Sequence, residues 1–225
     1  MKNPMRGTRK AVVLLSGGLD SATTLYYAID KGYDCTCLIF DYGQRHKREI
    51  ESAKKVARSC AAGYEIIKIS LPWKGSALLD RRVAVPKNRM NPANGIPVTY
   101  VPARNTIFLG FAVSCAEAIG AKTIFIGANS VDFSGYPDCR PEYYKVYNEL
   151  IARGTKAGAR IKILTPLINM AKSGIIGLGT GLGVPYEYTW SCYAGGKRPC
   201  GKCDSCIIRE KGFKEAGTRD PLEKR

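Results

Sequence analysis

Short apolar runs alternate with longer amphipathic stretches along most of this chain. Lys10–Leu15, Cys35–Tyr42, Tyr64–Ser70, Lys122–Gly127 and Ile161–Leu164 read as strands. Between them, Asp20–Lys31 places Leu25 and Ile29 four apart on one helical face, and His46–Ala62 reads as a charged amphipathic helix. Arg104–Ile119 is apolar and helical, and Ala171–Gly179 is a further helix. Pro141 opens another, running to about Ala152, because proline suits a helix's first turn. Residues 72–99 carry four prolines and two glycines without a period, and read as a functional flap or a disordered excursion.

This alternation predicts an α/β fold, a Rossmann-like and mainly parallel sheet with helices on both faces. Such sheets bind ligands beyond the C-terminal ends of their strands. Ser16–Ser21, Asp41–His46 and Gly127–Arg140 lie at such ends and are expected to converge. The 225 residues suit one domain, 1–183, with a small Cys-rich segment, 184–225, packed on it. A formal net charge of +16 points to anionic partners: nucleotides, carboxylates or nucleic acid. The basic residues are spread widely, which a solvated surface also explains. No apolar run approaches the ~18 residues of a membrane span, and no secretory leader is evident. A cytoplasmic protein without a membrane partner is therefore expected.

The strand at 10–15 runs into Ser16-Gly17-Gly18-Leu19-Asp20-Ser21 and then a helix. Paired glycines let the backbone approach a ligand, and a helix N-terminus favours an anion. The hydroxyls of Ser16, Ser21 and Thr23 add donors, while Asp20 either caps the helix or helps to hold Mg²⁺. The lysine of a Walker loop is missing, so nothing in this loop anchors a γ-phosphate. A pyrophosphate that departs intact suits it better.

"SGGLDS" resembles the loop of the ATP pyrophosphatases, whose adenine nucleotide α-hydrolase-like fold and transfer of AMP from ATP the resemblance implies here. It assigns ATP contact to Leu15, Ser16, Gly17, Gly18, Leu19, Asp20, Ser21, Ala22, Thr23, Thr24 and Leu25. "FDYGQRH" (40–46), "VPARN" (101–105) and "DFSGYPDCR" (132–140) narrow it further. With "TPL" (165–167), Lys172 and the Cys-rich end, they resemble the 7-cyano-7-deazaguanine synthase family from about Lys10 to Gly217.

That resemblance implies 7-carboxy-7-deazaguanine, ammonia and ATP as partners, Mg²⁺ with the ATP, and a homodimer; no direct nucleic-acid contact is expected. Ser16, Asp20, Lys172 and Arg104 are the expected catalytic group. Arg104 and Lys172 each open a helix, where the dipole disfavours a cation unless an anion faces it. Asp41, Tyr42, Gln44, Arg45, His46, Asp132, Tyr136 and Asp138 are the substrate candidates. Asp132 suits the guanine-like face or Mg²⁺, whereas a turn explains Asp138 equally well. His46, the one histidine, is better explained by structure than by chemistry. Phe133 and Tyr136 suit stacking on a base or ordinary packing. Leu19 departs from the Gln of many family members, and Asn129-Ser130-Val131 from the Cys-Glu-Thr of several.

Cys192, Cys200, Cys203 and Cys206 are spaced C-x7-C-x2-C-x2-C. Four thiolates with no open position favour a structural Zn²⁺. An iron–sulfur cluster is the rival, but the fourth Cys-Pro of a ferredoxin run is replaced by Ile207-Ile208-Arg209-Glu210. Cys35, Cys37, Cys60 and Cys115 read as small hydrophobes. Two rival functions share this fold: a tRNA-modifying adenylating enzyme, prompted by the charge, and a nucleotide-binding regulator without turnover.

Overall fold

The computed structural model describes residues 9–88, 95–129, 135–156 and 160–223. Five strands form one sheet: β1 (Arg9–Leu14), β2 (Tyr33–Asp41), β3 (Gly63–Lys68), β4 (Thr123–Ile126) and β5 (Lys162–Leu164). Their order is β3-β2-β1-β4-β5, and every pairing is parallel. Among the described residues six α-helices accompany them: α1 (Leu19–Asp30), α2 (Arg48–Ser59), α3 (Arg104–Ile119), α4 (Pro141–Gly154), α5 (Lys172–Gly181) and α6 (Asp204–Glu215).

The central strand shows why the apolar runs are continuous rather than alternating. Ala11 and Val13 face one core with Leu25, Val56 and Ile175, while Val12 and Leu14 face a second with Leu109 and Ile151. Successive side chains point to opposite faces, so a strand covered on both sides needs apolar residues throughout. α1, α2, α5 and α6 cover the first face; α3 and α4 cover the second. The chain steps outward from β1 to β3, then crosses back to β4 on the other side of β1. A crevice opens at such a reversal, beyond the C-terminal ends of β1 and β4.

Two segments differ from expectation. The described part of the 72–99 stretch is largely exposed but anchored: Leu78 is buried in the second core, as are Leu71 and Val101 just outside its ends. Ala77 N–H donates to Val98 O at 2.9 Å, tying its two arms together. Its order rests on isolated anchors, which leave no period. α6 was not legible because its inward positions are Cys206, Arg209, Gly212 and Phe213, a set with no aliphatic stripe. No helix among the described residues is long and apolar enough to cross a membrane.

The C-terminal segment shares the main core, through Val184, Tyr186 and Phe213. A buried ion pair fixes it. Arg209 Nε donates to Asp220 Oδ2 at 2.7 Å and Nη2 to Oδ1 at 2.9 Å. The remaining N–H groups reach Thr189 Oγ1 at 2.8 Å and Tyr186 O at 3.2 Å. Both side chains are almost fully buried. Removing one partner of such a pair strands the other charge, at a cost of about 3–5 kcal/mol. Asp220→Ala is expected to lower the unfolding free energy by that amount, seen as an earlier urea midpoint; an unchanged midpoint contradicts the assignment.

Candidate active site

Gly17 stands at the junction from which the site is built. Its φ is +83°, and a Cβ there would lie 2.2 Å from Glu49 O and 2.7 Å from Ala53 N. Only glycine lets the β1–α1 loop press against α2 in this way. Gly127 does the same at the end of β4, where a Cβ would meet the Asp20 carbonyl and Ser21 N at 2.9 Å.

The loop is held by its own hydroxyls. Ser21 Oγ donates to Gly18 O at 3.0 Å and accepts from Ser16 N at 3.2 Å. The Ser16 hydroxyl therefore donates to Ser21 Oγ, 3.0 Å away, while accepting from Gly18 N at 3.3 Å. Gly18 is the N-cap of α1, and no side chain caps that helix. Asp20 lies inside the first turn and does not cap it; its two oxygens accept from Lys172 Nζ, each at 2.8 Å. Lys172 opens α5, where the dipole opposes it, and Asp20 offsets that cost. Gly212 of α6 leaves room for the lysine stem: a Cβ there would lie 2.5 Å from Lys172 Cγ.

Ser16, Asp20, Lys172 and Arg104 all line one cavity of about 290 Å³ at the C-terminal strand ends. Its other wall is aromatic. Phe40 and Phe108 stack with centroids 3.9 Å apart. Arg104 Nη1 donates to Tyr42 Oη at 3.3 Å, Tyr136 and Thr99 hydroxyls meet at 2.8 Å, and Tyr193 is hydrogen-bonded to Tyr136.

The substrate candidates divide. Tyr42, Gln44 and Tyr136 line the cavity. Gln44 folds back onto its own turn, accepting from Tyr42 N at 2.8 Å and donating to Phe40 O at 3.0 Å. Asp41 instead pairs with Lys47 at 3.1 Å, and Arg45 staples the stretch after β3 by donating to Arg81 O at 2.9 Å. His46 lies against Gly195, where a Cβ would be 2.5 Å from its ring. Asp138 is buried, and its Oδ2 accepts from Asn105 N at 3.2 Å in the first turn of α3. Asp132 and Phe133 lie outside the described residues. Thr23 also turns away from the loop: it donates to Leu19 O at 3.0 Å and meets Tyr186 Oη at 2.9 Å. Ala22, Thr23, Thr24 and Leu25 are fully buried in the core, so their side chains offer nothing to the cavity.

Several cavity residues had gone unnoticed. Trp190, Ser191, Tyr193 and Arg209 come from the C-terminal segment. Trp190 N–H donates to Gly17 O at 2.9 Å, which ties that segment to the loop. Glu49 of α2 is the other omission. Burial pushes its carboxyl up to about 7, against the pull of Arg104.

The Sγ atoms of Cys192, Cys200, Cys203 and Cys206 lie within 4.8 Å of one another. This set is able to hold a metal. Ala194 N and Cys200 N donate to Cys192 Sγ at 3.4 and 3.3 Å, and Cys203 N donates to Cys200 Sγ at 3.3 Å. Hydrogen bonds from the Cys203 and Cys206 thiols pull the Cys192 thiol below its usual range, toward the thiolate that binds metals. The other five cysteines are free, Cys35 and Cys37 buried among apolar side chains.

The family model for the queuosine biosynthesis protein QueC matches residues 10–217. The chain belongs to the QueC family. That span takes in the loop, Lys172 and all four clustered cysteines. A relative from Picrophilus torridus named 7-cyano-7-deazaguanine synthase is 54% identical over 217 residues, 95% of this chain and 91% of its own. Another of that name, from Trichodesmium erythraeum, is 51% identical over 220 residues, 95% of this chain and 99% of its own. Among solved structures, an NMN synthetase from Francisella tularensis superposes with a TM-score of 0.51 at 16% identity, covering 94% of this chain and 78% of that one. A predicted tRNA methyltransferase subunit from Methanocaldococcus jannaschii gives 0.51 at 14%, over 94% and 90%. Those two likenesses establish the fold alone, the parallel α/β architecture expected for this QueC chain.

The raised Glu49 carboxyl has a consequence for stability. Its folded value lies above the unfolded one, so between about pH 4.5 and 7 the native chain keeps a proton that the unfolded chain has released. Through that window Glu49 makes native stability fall as pH rises. Comparing urea unfolding below and above it, Glu49→Gln is expected to show a shallower decline than the unaltered protein; identical slopes contradict the assignment.

Proposed function

We propose that this chain is an ATP-dependent carbon–nitrogen ligase that converts 7-carboxy-7-deazaguanine and ammonia to 7-cyano-7-deazaguanine. The observation that carries this reading is the meeting, in one cavity, of the Ser16–Ser21 loop, the Lys172–Asp20 pair and an aromatic wall with Arg104. The names of the relatives at about half identity supply the product, and the acid and ammonia are the precursors that the resemblance implies for it.

The chemistry explains why two kinds of wall are needed. A carboxylate is a poor electrophile, because its leaving group would be oxide. Attack of its oxygen on the α-phosphorus of ATP releases pyrophosphate and leaves AMP as the leaving group. Ammonia then displaces AMP and gives the amide. A second adenylation, on the amide oxygen, allows AMP to depart with loss of the N–H protons, leaving the nitrile. The free N–H groups at the start of α1 suit the departing pyrophosphate. Lys172 and Arg104 neutralise charge developing on the phosphates, the kind of fixed stabilisation that contributes most in a site shielded from water. Asp20 is the residue that would hold Mg²⁺ with ATP. Tyr42, Phe108 and Tyr136 offer faces for a flat base.

The four cysteines would hold Zn²⁺. Tetrahedral Zn–S bonds of ~2.3 Å require sulfur atoms about 3.8 Å apart. Cys203 and Cys206 are 3.5 Å apart and Cys200 and Cys206 4.0 Å, which suits one ion rather than a multi-iron cluster. The ion would fix the loop that carries Tyr193 to the cavity, and supplies no chemistry to the substrate.

Incubation with the acid, ammonium and MgATP, followed by mass spectrometry, is expected to yield the nitrile and AMP; ADP without nitrile overturns the reading. Lys172→Ala is expected to cut kcat by about 10²–10³ while leaving the melting temperature within a few degrees. Elemental analysis is expected to find zinc near one per chain, and stoichiometric iron contradicts that assignment.

A further inference from the structure

We propose that Glu49 selects the substrate, its carboxylate accepting the two adjacent N–H groups of a guanine-like edge: the ring N–H and the exocyclic amine. This rests on the reading of the substrate as a 7-deazaguanine acid.

The first turn of α2 carries two acids, and they behave differently. Glu51 is solvent-exposed and accepts from Lys54 Nζ at 2.7 Å. Glu49 is turned into the cavity. Attraction to the helix dipole applies to both, so it does not explain why one is half-buried against the cavity and the other exposed. No hydrogen bond or ion pair reaches the Glu49 carboxylate among the described residues, although it feels the charge of Arg104. Desolvation at the cavity wall, with the Cys192 sulfur nearby and against the pull of Arg104, holds its proton on to about 7. A group kept in that state gains when a ligand brings donors to it.

The neighbouring acceptors are already spent. Gln44 uses both ends of its amide on the β2 turn. Tyr42 receives Arg104, and Tyr136 is engaged with Thr99 and Tyr193. Tyr42, Arg104 and Tyr193 all lie within electrostatic range of Glu49, so an acceptor stands beside the aromatic faces. A flat base lying against those faces presents its polar edge sideways. Two parallel donors on one edge match the two oxygens of a carboxylate, and charge makes both bonds stronger than neutral ones. The backbone of α2 approaches Gly17 closely at Glu49 O. Glu49 is thereby set beside the same glycine that shapes the loop.

The decisive comparison uses two substrates: 7-carboxy-7-deazaguanine and its analogue lacking the 2-amino group. The unaltered protein is expected to prefer the amino substrate by about 100-fold in kcat/KM, because a buried acceptor is otherwise left unpaired. Glu49→Gln keeps the shape but sets an amide N–H against a substrate N–H. It is expected to raise KM for the amino substrate by about 100-fold, leave the analogue within threefold, and leave KM for ATP unchanged. Equal losses on both substrates overturn the proposal, as does an effect confined to KM for ammonium or ATP. A preference below about threefold in the unaltered protein overturns it without any variant. If the unaltered protein makes no nitrile from either acid, the proposed function falls with it; if it makes nitrile but Glu49→Gln behaves identically, only the role of Glu49 falls.

Discussion

One close approach governs this molecule: the backbone of Gly17 against the backbone of α2. Without a side chain at that point, the loop after β1 reaches α2 at Glu49 and Ala53 and accepts Trp190 N–H on its carbonyl. Three distant stretches thereby share one corner. The loop brings hydroxyls and free helix N–H groups, α2 brings a carboxylate, and the segment from 190 onward brings the remaining wall. A methyl group there would force them apart, and a positive φ strains any other residue.

The second organising device is electrostatic. Lys172 stands at a helix N-terminus, where a cation is ill placed, and Asp20 stands opposite it with both oxygens engaged. Their contact joins α1 to α5, while Gly212 lets α6 close over the lysine stem. One turn before Gly212, α6 is fastened by Arg209 to Asp220. Two ion pairs of different character thus meet the same helix: the Lys172–Asp20 pair is partly exposed, and the Arg209–Asp220 pair is almost fully buried.

Much of this was legible in the chain, for definite reasons. A strand buried on both faces must be apolar throughout, so β1 and β4 stood out. Strand–helix alternation put Ser16–Ser21 at the end of a strand, where ligands bind, while Arg104 and Lys172 were picked out by the family resemblance; the structure brings Ser16, Asp20, Arg104 and Lys172 around one space. Direction of side chains was less readable. In "FDYGQRH", Tyr42 and Gln44 turn inward while Asp41 and Arg45 turn outward; adjacency in a motif does not say which way an alternating backbone aims each residue. Thr23 has a suitable hydroxyl, but it is four residues beyond Leu19 and bonds back to that carbonyl. Glu49 was hidden by a sufficient local explanation, since an acid in a helix's first turn needs no other. α6 was hidden by a buried face made of Cys, Arg and Gly.

The cysteine cluster bears on more than local order. Cys192 is two residues from Trp190, which hangs from Gly17, and Trp190 Nε1 donates back to Cys192 O at 2.9 Å. Asn88 N–H reaches across to Lys202 O at 2.7 Å, so the long stretch after β3 is moored to the same knot. The state of the four thiols, loop geometry and the enclosure of the cavity are therefore not separable properties. Thiol oxidation at the cluster would be felt as a slackening of the corner at Gly17, at a distance from every sulfur, before the sheet itself gave way.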